Sequence, residues 1–166
     1  MLRKSTQKIL SFLSVVLLVS VVACNPASKY EKAEKDEIDT YLGTNTNINF
    51  NLKPSGLYYY EVLKGTGRAP VKYDTAYIKY TGKFLSGNIF DTNVGTANTL
   101  KHIVGVDVLI SGFSEGISYM AAGGKSIFLI PSILGYGTYG SYPYISGYTP
   151  LVFEVELVEV RAGTVK

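Results

Sequence analysis

Three residues in one short stretch set polar chemistry beside aromatic rings. The run YTGKFLSGNIFDTN, residues 80–93, opens on Tyr80 and ends near the pair Phe90-Asp91, with the turn dipeptide Ser86-Gly87 between them. A carboxylate beside a phenyl ring at the end of a hairpin has two readings. It is a strand end where Asp starts a turn, or it is the lip of a pocket that is apolar on one side and polar on the other. Tyr136 adds a second hydroxyl in the glycine-rich run GYGTYG, where a tyrosine also serves simply to cover a loop.

The chain lacks the residues that other chemistries require. It holds one histidine, His102, in a stretch that reads as a strand, and one cysteine, Cys24. One histidine makes no zinc ligand set. Cys24 sits where lipidation consumes it, which excludes a Cys–His nucleophile. No Gly-x-Ser-x-Gly elbow supports a serine triad built on His102, which reads as an edge-strand or half-buried residue. GTGR at 65–68 is too short for a phosphate loop and no helical pattern follows it. An enzyme made from this chain must work without covalent or metal chemistry.

The elements that must position these residues begin after a leader. Arg3, Lys4 and Lys8 precede the apolar run ILSFLSVVLLVSVVA, which is too short to span a bilayer and stops at small residues. Residues 1–23 therefore read as a signal peptide. Val21-Val22-Ala23-Cys24 resembles a bacterial lipobox, with Cys24 as the lipidated residue and membrane anchor. Three of the 16 Lys and Arg lie before Cys24, leaving 13 against 13 Asp and Glu. That neutral balance excludes a nucleic-acid footprint.

Residues 24–55 read as tether, charged helix (30–42) and polar linker (43–55), the helix carrying a weak apolar stripe of Ile38, Tyr41 and Leu42. The stripe either packs on the domain or leaves the helix free, as a dimerisation segment or a spacer. Strand patterns then follow at 57–63, 75–85, 99–105, 124–131 and 151–160, with NIFD as a short continuation after the Ser86-Gly87 turn. In the second, Ala76, Ile78 and Tyr80 share a face; in the last, Leu151, Phe153, Val155 and Leu157 do. GFSEGISYM, 112–120, suits a helix of about two turns with Phe113, Ile117 and Met120 on one side. The pattern predicts an α+β domain over 56–161, an antiparallel sheet curled over one short helix, with a tail at 162–166.

Four motifs in order, YTGKFLSGNIFDTN, VLISGFSEG, IPSILGYGTYG and LVFEVELVEV, resemble the FKBP-type peptidyl-prolyl cis–trans isomerase domain. With the lipobox and charged helix, the chain resembles the lipoprotein form of that family found in Bacteroidetes. The resemblance implies a five- to six-stranded antiparallel sheet around one short helix, with a proline pocket between them. It implies that Tyr80, Phe90, Asp91, Tyr136 and Phe153 do the catalytic work as pocket tyrosine, wall aromatic, acidic rim, rim hydroxyl donor and inner wall. Leu100, Leu109, Ile110, Phe113 and Ile145 would bind substrate, Ile110 through its N–H and Phe113 as the floor. Taken from the residues alone, Tyr80, Phe113 and Phe153 have inward phases and suit the core of any β domain.

The family's floor residue is tryptophan where this chain has Phe113, which predicts a roomier pocket. Leu100 stands where the family often has an aromatic ring. In GSYPYISGYTP, 140–150, Ile145 is followed by Ser146-Gly147 in place of the family's Ile-Pro-Pro-like run, and Tyr139, Tyr142, Tyr144 and Tyr148 crowd this loop, which in the family overhangs the pocket. Two functions fit. One is a lipid-anchored isomerase of the cell envelope, on the periplasmic face of the outer membrane, acting on proline-containing unfolded or exported polypeptides and needing no cofactor. The other is a chaperone or assembly lipoprotein that keeps the fold with little or no activity.

Overall fold

The computed structural model describes residues 26–163. The expected leader, Cys24 and the last three residues of the tail lie outside them.

Helix α1, Pro26–Thr44, is longer than the 30–42 read from the sequence. Its solvent face carries two i,i+4 ion pairs, Lys32–Asp36 at 2.6 Å and Lys35–Asp39. Such exposed pairs contribute only ~0.3–0.5 kcal/mol each, so packing must fix the helix. The stripe Ile38, Tyr41 and Leu42 does this by covering Leu129 and Val152 on the outer face of the sheet, with Ile38 buried. The helix therefore lies on its own domain.

Seven strands form one sheet: β1 Asn51–Leu52, β2 Tyr58–Leu63, β3 Thr75–Phe84, β4 Ile89–Thr92, β5 Leu100–Ile103, β6 Gly124–Ile130 and β7 Leu151–Arg161. The order is β1-β2-β6-β7-β3-β4, with β5 also on β3. Every pairing is antiparallel. Seven strands exceed the expected five to six for two reasons. Part of the segment read as a linker pairs with β2 as β1, Asn51 opposite Tyr59. And β4 and β5 divide one edge of β3 between them, β5 against residues 75–78 and β4 against 81–83.

The inner face of the sheet holds the main core. Leu151, Phe153, Val155 and Leu157 of β7 all turn into it, as their alternation predicts, and meet Ala76, Ile78, Phe128 and Ile130. Helix α2, Ser111–Ser118, closes this core with Phe113 and Ile117. Its sequence is a poor helix former, with two glycines in eight residues. Tertiary contact overrides that propensity. A Cβ at Gly112 would stand 2.6 Å from Ile130 Cγ2, and one at Gly116 would stand 2.5 Å from Phe128 Cε2. The glycines let the helix backbone lie almost directly on β6. After β6 a single 3-10 turn, Ser132–Leu134, leads into the glycine-rich run around Tyr136.

Candidate active site

A cavity of about 490 Å³ opens between the inner face of the sheet and the N-terminal end of α2. Tyr80, Phe90, Asp91, Leu100, Leu109, Ile110, Phe113, Tyr136 and Phe153 all line it, brought together from six separate parts of the chain. Val108, Ser111 and Gly135 line it as well and were not singled out in the sequence. Val108 is 96% exposed, an unsupported apolar side chain at the rim. Its position next to Leu109 and Ile110 was the signal available.

Rings form the floor and walls. Phe113 and Phe153 are buried and meet edge-to-face at 5.2 Å between centroids. Phe90 meets Phe153 edge-on at 5.6 Å, and Tyr80 meets Phe113 at 5.9 Å and Phe153 at 6.1 Å. These spacings are those of favourable aromatic pairs. Phe90 reaches this cluster because Gly82 on the neighbouring strand has no side chain: a Cβ there would stand 2.6 Å from Phe90 Cζ.

Phe90 and Asp91 are neighbours in one strand, so alternation should send them to opposite faces. The ladder pairs Gly82 with Asp91 and then Lys83 with Ile89, leaving Phe90 without a partner. That bulge re-aims the strand, and both side chains reach the cavity. The pair at the hairpin's end is thus the lip of a pocket.

Tyr80 is held from its backbone outward. Its N–H donates to Asn93 Oδ1 at 2.8 Å and its carbonyl accepts from Thr92 Oγ1 at 3.0 Å. Asn93 Nδ2 also donates to the Ile78 carbonyl at 3.0 Å, so this side chain extends the β3–β4 ladder by one rung. Asn93 was missed in the sequence, where it reads as an ordinary turn residue. The Tyr80 hydroxyl donates to Asp91 Oδ2 at 2.5 Å. Burial, this hydrogen bond and the Asp91 charge raise the pKa of Tyr80 far above the usual phenol value. Burial, then the Asp91 charge, also raises that of Tyr136. Both phenols keep their protons at neutral pH and remain donors.

Two donors at the rim have no partner among the described residues: the Tyr136 hydroxyl and the Ile110 N–H. Ile110 precedes α2, and its carbonyl accepts from Phe113 N at 3.0 Å and Ser114 N at 3.2 Å. Its own N–H is therefore one of the unsatisfied donors that a helix start leaves.

Two sequence expectations fall elsewhere. Ile145 does not line the cavity; it is buried in the main core. A tight turn draws it inward, with Ser141 N–H donating to the Ile145 carbonyl at 2.8 Å and Ile145 N–H to the Ser141 carbonyl at 2.9 Å. The 140–150 loop contributes nothing to the cavity lining. Its Tyr148 stacks on Tyr30 of α1 at 5.2 Å, while Tyr139, Tyr142 and Tyr144 stand in solvent. His102 stands on β5, which pairs with β3 alone, so it is an edge-strand residue as read, but its side chain is buried rather than half-buried. Among the described residues, no group of three His, Cys, Asp or Glu is placed to hold a metal ion.

Residues 66–158 match the family model for the FKBP-type peptidyl-prolyl cis-trans isomerase. The chain is 37% identical over 105 residues to FK506-binding protein 4 of Dictyostelium discoideum, covering 63% of this chain and 28% of that protein. It is 32% identical over 132 residues to a probable FKBP-type peptidyl-prolyl cis-trans isomerase, FkpA, of Neisseria meningitidis, covering 79% of this chain and 48% of that one. It thus spans less than half the length of either relative. Among solved structures, a peptidyl-prolyl cis-trans isomerase of Pseudomonas syringae superposes with a TM-score of 0.70 at 28% identity, over 83% of this chain and 98% of the other.

Proposed function

The chain belongs to the FKBP-type peptidyl-prolyl cis–trans isomerase family, and we propose that it catalyses rotation about X–Pro peptide bonds in the cavity lined by Phe90, Phe113 and Phe153. The observation that carries this reading is the pairing of a ring-lined slot with two unpartnered donors at its rim.

An X–Pro bond exchanges slowly because the planar amide is stabilised by resonance, with a barrier of ~18–20 kcal/mol. No bond is made or cut. In the twisted transition state the amide loses resonance and its carbonyl carries less charge. A dry aromatic slot disfavours the planar, polar ground state relative to the twisted one, which is the differential binding that catalysis requires. The proline ring packs on Phe113 between Phe90 and Phe153, and the Ile110 N–H and Tyr136 hydroxyl hold flanking carbonyls in the turned geometry. An acceleration of ~10⁴ needs only about 5.5 kcal/mol. A desolvated slot with two or three hydrogen bonds supplies that scale.

The envelope location belongs to the same proposal. Cys24 in its lipobox setting would tether the domain to a membrane, where proline-containing exported polypeptides are the substrates. Labelling with radioactive palmitate tests it; Cys24→Ser should abolish incorporation. A protease-coupled assay on an Ala-Leu-Pro-Phe-type peptide tests the activity. The expected result is first-order acceleration that falls in Asp91→Ala and Tyr136→Phe. A rate equal to that without protein would overturn the reading.

Three exposed tyrosines, Tyr139, Tyr142 and Tyr144, favour a second role for the same domain, holding unfolded chains against aggregation. Replacing the three with serine should reduce suppression of aggregation while peptide turnover persists.

A further inference from the structure

Helix α1 lies outside the residues that the family model matches, yet a carboxylate on it bonds directly to the cavity's supporting frame. Glu34 reaches across 98 positions of sequence to Ser132. Its Oε1 accepts the Ser132 N–H at 2.5 Å and its Oε2 accepts the Ser132 hydroxyl at 2.7 Å. Ser132 is buried and opens the 3-10 turn that precedes Tyr136.

A turn of this kind begins with N–H groups that lack acceptors of their own. Pro131 and Ser132 supply no side-chain cap within the turn. Glu34 is that cap, contributed by a different element. The Ser132 carbonyl in turn accepts the N–H of Gly135 at 2.8 Å and of Gly137 at 2.7 Å. One residue therefore fixes the glycines on both sides of Tyr136. Those glycines give the chain no stiffness of its own there, and Gly137 sits at a φ of 64°. The direction of the Tyr136 hydroxyl depends on the frame that Ser132 anchors.

We propose that Glu34 is a positioning residue for Tyr136: by holding both donors of Ser132, the N-terminal helix sets the rim donor of the pocket. This rests on the reading of the cavity as an isomerase site. Two flanking side chains seat α1 on the domain. Ile38, one turn further, is buried on Leu129 and Val152, and Tyr30, one turn earlier, stacks on Tyr148. The Tyr148 N–H donates to the Gly137 carbonyl at 2.9 Å, so this contact also ends on the Tyr136 loop.

The test compares Glu34→Ala, Glu34→Gln and Ile38→Ala in the full chain, held in detergent, by peptide isomerisation and by amide hydrogen exchange. Glu34→Ala should lower kcat/KM roughly fivefold or more through loss of orientation. Glu34→Gln should stay within about twofold of the parent, since its amide oxygen takes the Ser132 N–H and its NH₂ donates to the hydroxyl oxygen. Ile38→Ala should lower the unfolding temperature and leave kcat/KM within about twofold, because it loosens the helix without touching Ser132. In a Tyr136→Phe background, Glu34→Ala should cost little more, as residues acting through one group are not additive. A full further loss in that background, or equal effects of Glu34→Ala and Ile38→Ala on kcat/KM, would overturn the assignment. If the parent chain is inactive the functional reading fails alone. Exchange then decides: amides of 135–137 should exchange about tenfold faster in Glu34→Ala than in Glu34→Gln, and equal rates would refute the positioning role.

Discussion

The Tyr80 hydroxyl donates to Asp91 Oδ2 across the β3–β4 hairpin, at 2.5 Å. The bond leaves Asp91 a second oxygen at the rim and fixes the phenol whose ring meets Phe113 and Phe153. Removing the carboxylate therefore does two things: it deletes a rim acceptor and frees the ring. Asp91→Ala should lower kcat/KM about tenfold, and Tyr80→Phe, which keeps the ring and the carboxylate, only about threefold. In Asp91→Ala the phenol of Tyr80 should titrate at lower pH than in the parent, because the hydrogen bond and charge that raise it are gone. NMR titration of the tyrosine ring reads this directly. An unmoved Tyr80 titration would mean that burial alone sets it.

Gly82 is the residue that permits the wall. An added Cβ would lie 2.6 Å from Phe90 Cζ and 3.0 Å from Phe153 Cε1. Gly82→Ala should destabilise the domain by ~1–3 kcal/mol, the usual cost of overpacking, and push Phe90 into the cavity. Denaturant midpoints and peptide KM check both effects. Pairing Gly82→Ala with Phe90→Ala should recover part of the lost stability, because the clashing ring is gone. No recovery would place the strain in the strand backbone.

The strands and the helix over the sheet were legible because Ala76, Ile78 and Tyr80 of β3 and Leu151, Phe153, Val155 and Leu157 of β7 recur every second residue, and α2 carries Phe113 and Ile117 one turn apart. Of the pocket residues, Tyr80, Phe90, Asp91, Leu109, Ile110, Phe113, Tyr136 and Phe153 lie within the four motifs, and Leu100 outside them. What the sequence could not display was geometry set by register. Strict alternation gives no hint of the bulge that sends Phe90 and Asp91 to one side, nor of Asn93 acting as an extra rung. Ile145 was misplaced because nothing local announces the turn from Ser141 that buries it. The link from Glu34 to Ser132 joins residues 98 positions apart, beyond any local pattern.

His102 makes the fold sensitive to mild acid. It is 2% exposed, and its Nδ1 has no hydrogen-bond partner among the described residues. Burial lowers its pKa, with the Asp107 charge opposing in part. The folded state therefore favours neutral imidazole, while the unfolded chain protonates near ~6.5. As pH falls below that value the unfolded state binds more protons, so stability drops until the folded imidazole titrates too. His102→Leu should flatten this slope. Asp74 acts in a lower window: the Arg68 guanidinium, at 2.8 Å, lowers it from 3.8 to about 2, and its contribution is lost as pH falls through that range. Unfolding midpoints from pH ~7 to ~5 separate the two; an unchanged slope in His102→Leu would exclude the imidazole as its source.

Phe113 decides how large the slot is. It is 3% exposed, meets three other rings within 6 Å, and forms the floor of a cavity of about 490 Å³. An indole there has room to grow toward the opening rather than into the core. F113W should lower peptide KM by about threefold to tenfold, from ~1 kcal/mol of added apolar contact with the proline ring, with stability changed by less than ~1.5 kcal/mol. Phe113→Ala should instead cost ~3–5 kcal/mol of stability, since it empties buried volume beside Phe128 and Phe153. The chain has no tryptophan, so the indole introduced in F113W is also its sole tryptophan fluorophore. Proline peptides should shift its emission with the same dependence on concentration as turnover. An emission that ignores saturating peptide would remove Phe113 from the substrate site and leave it as core alone.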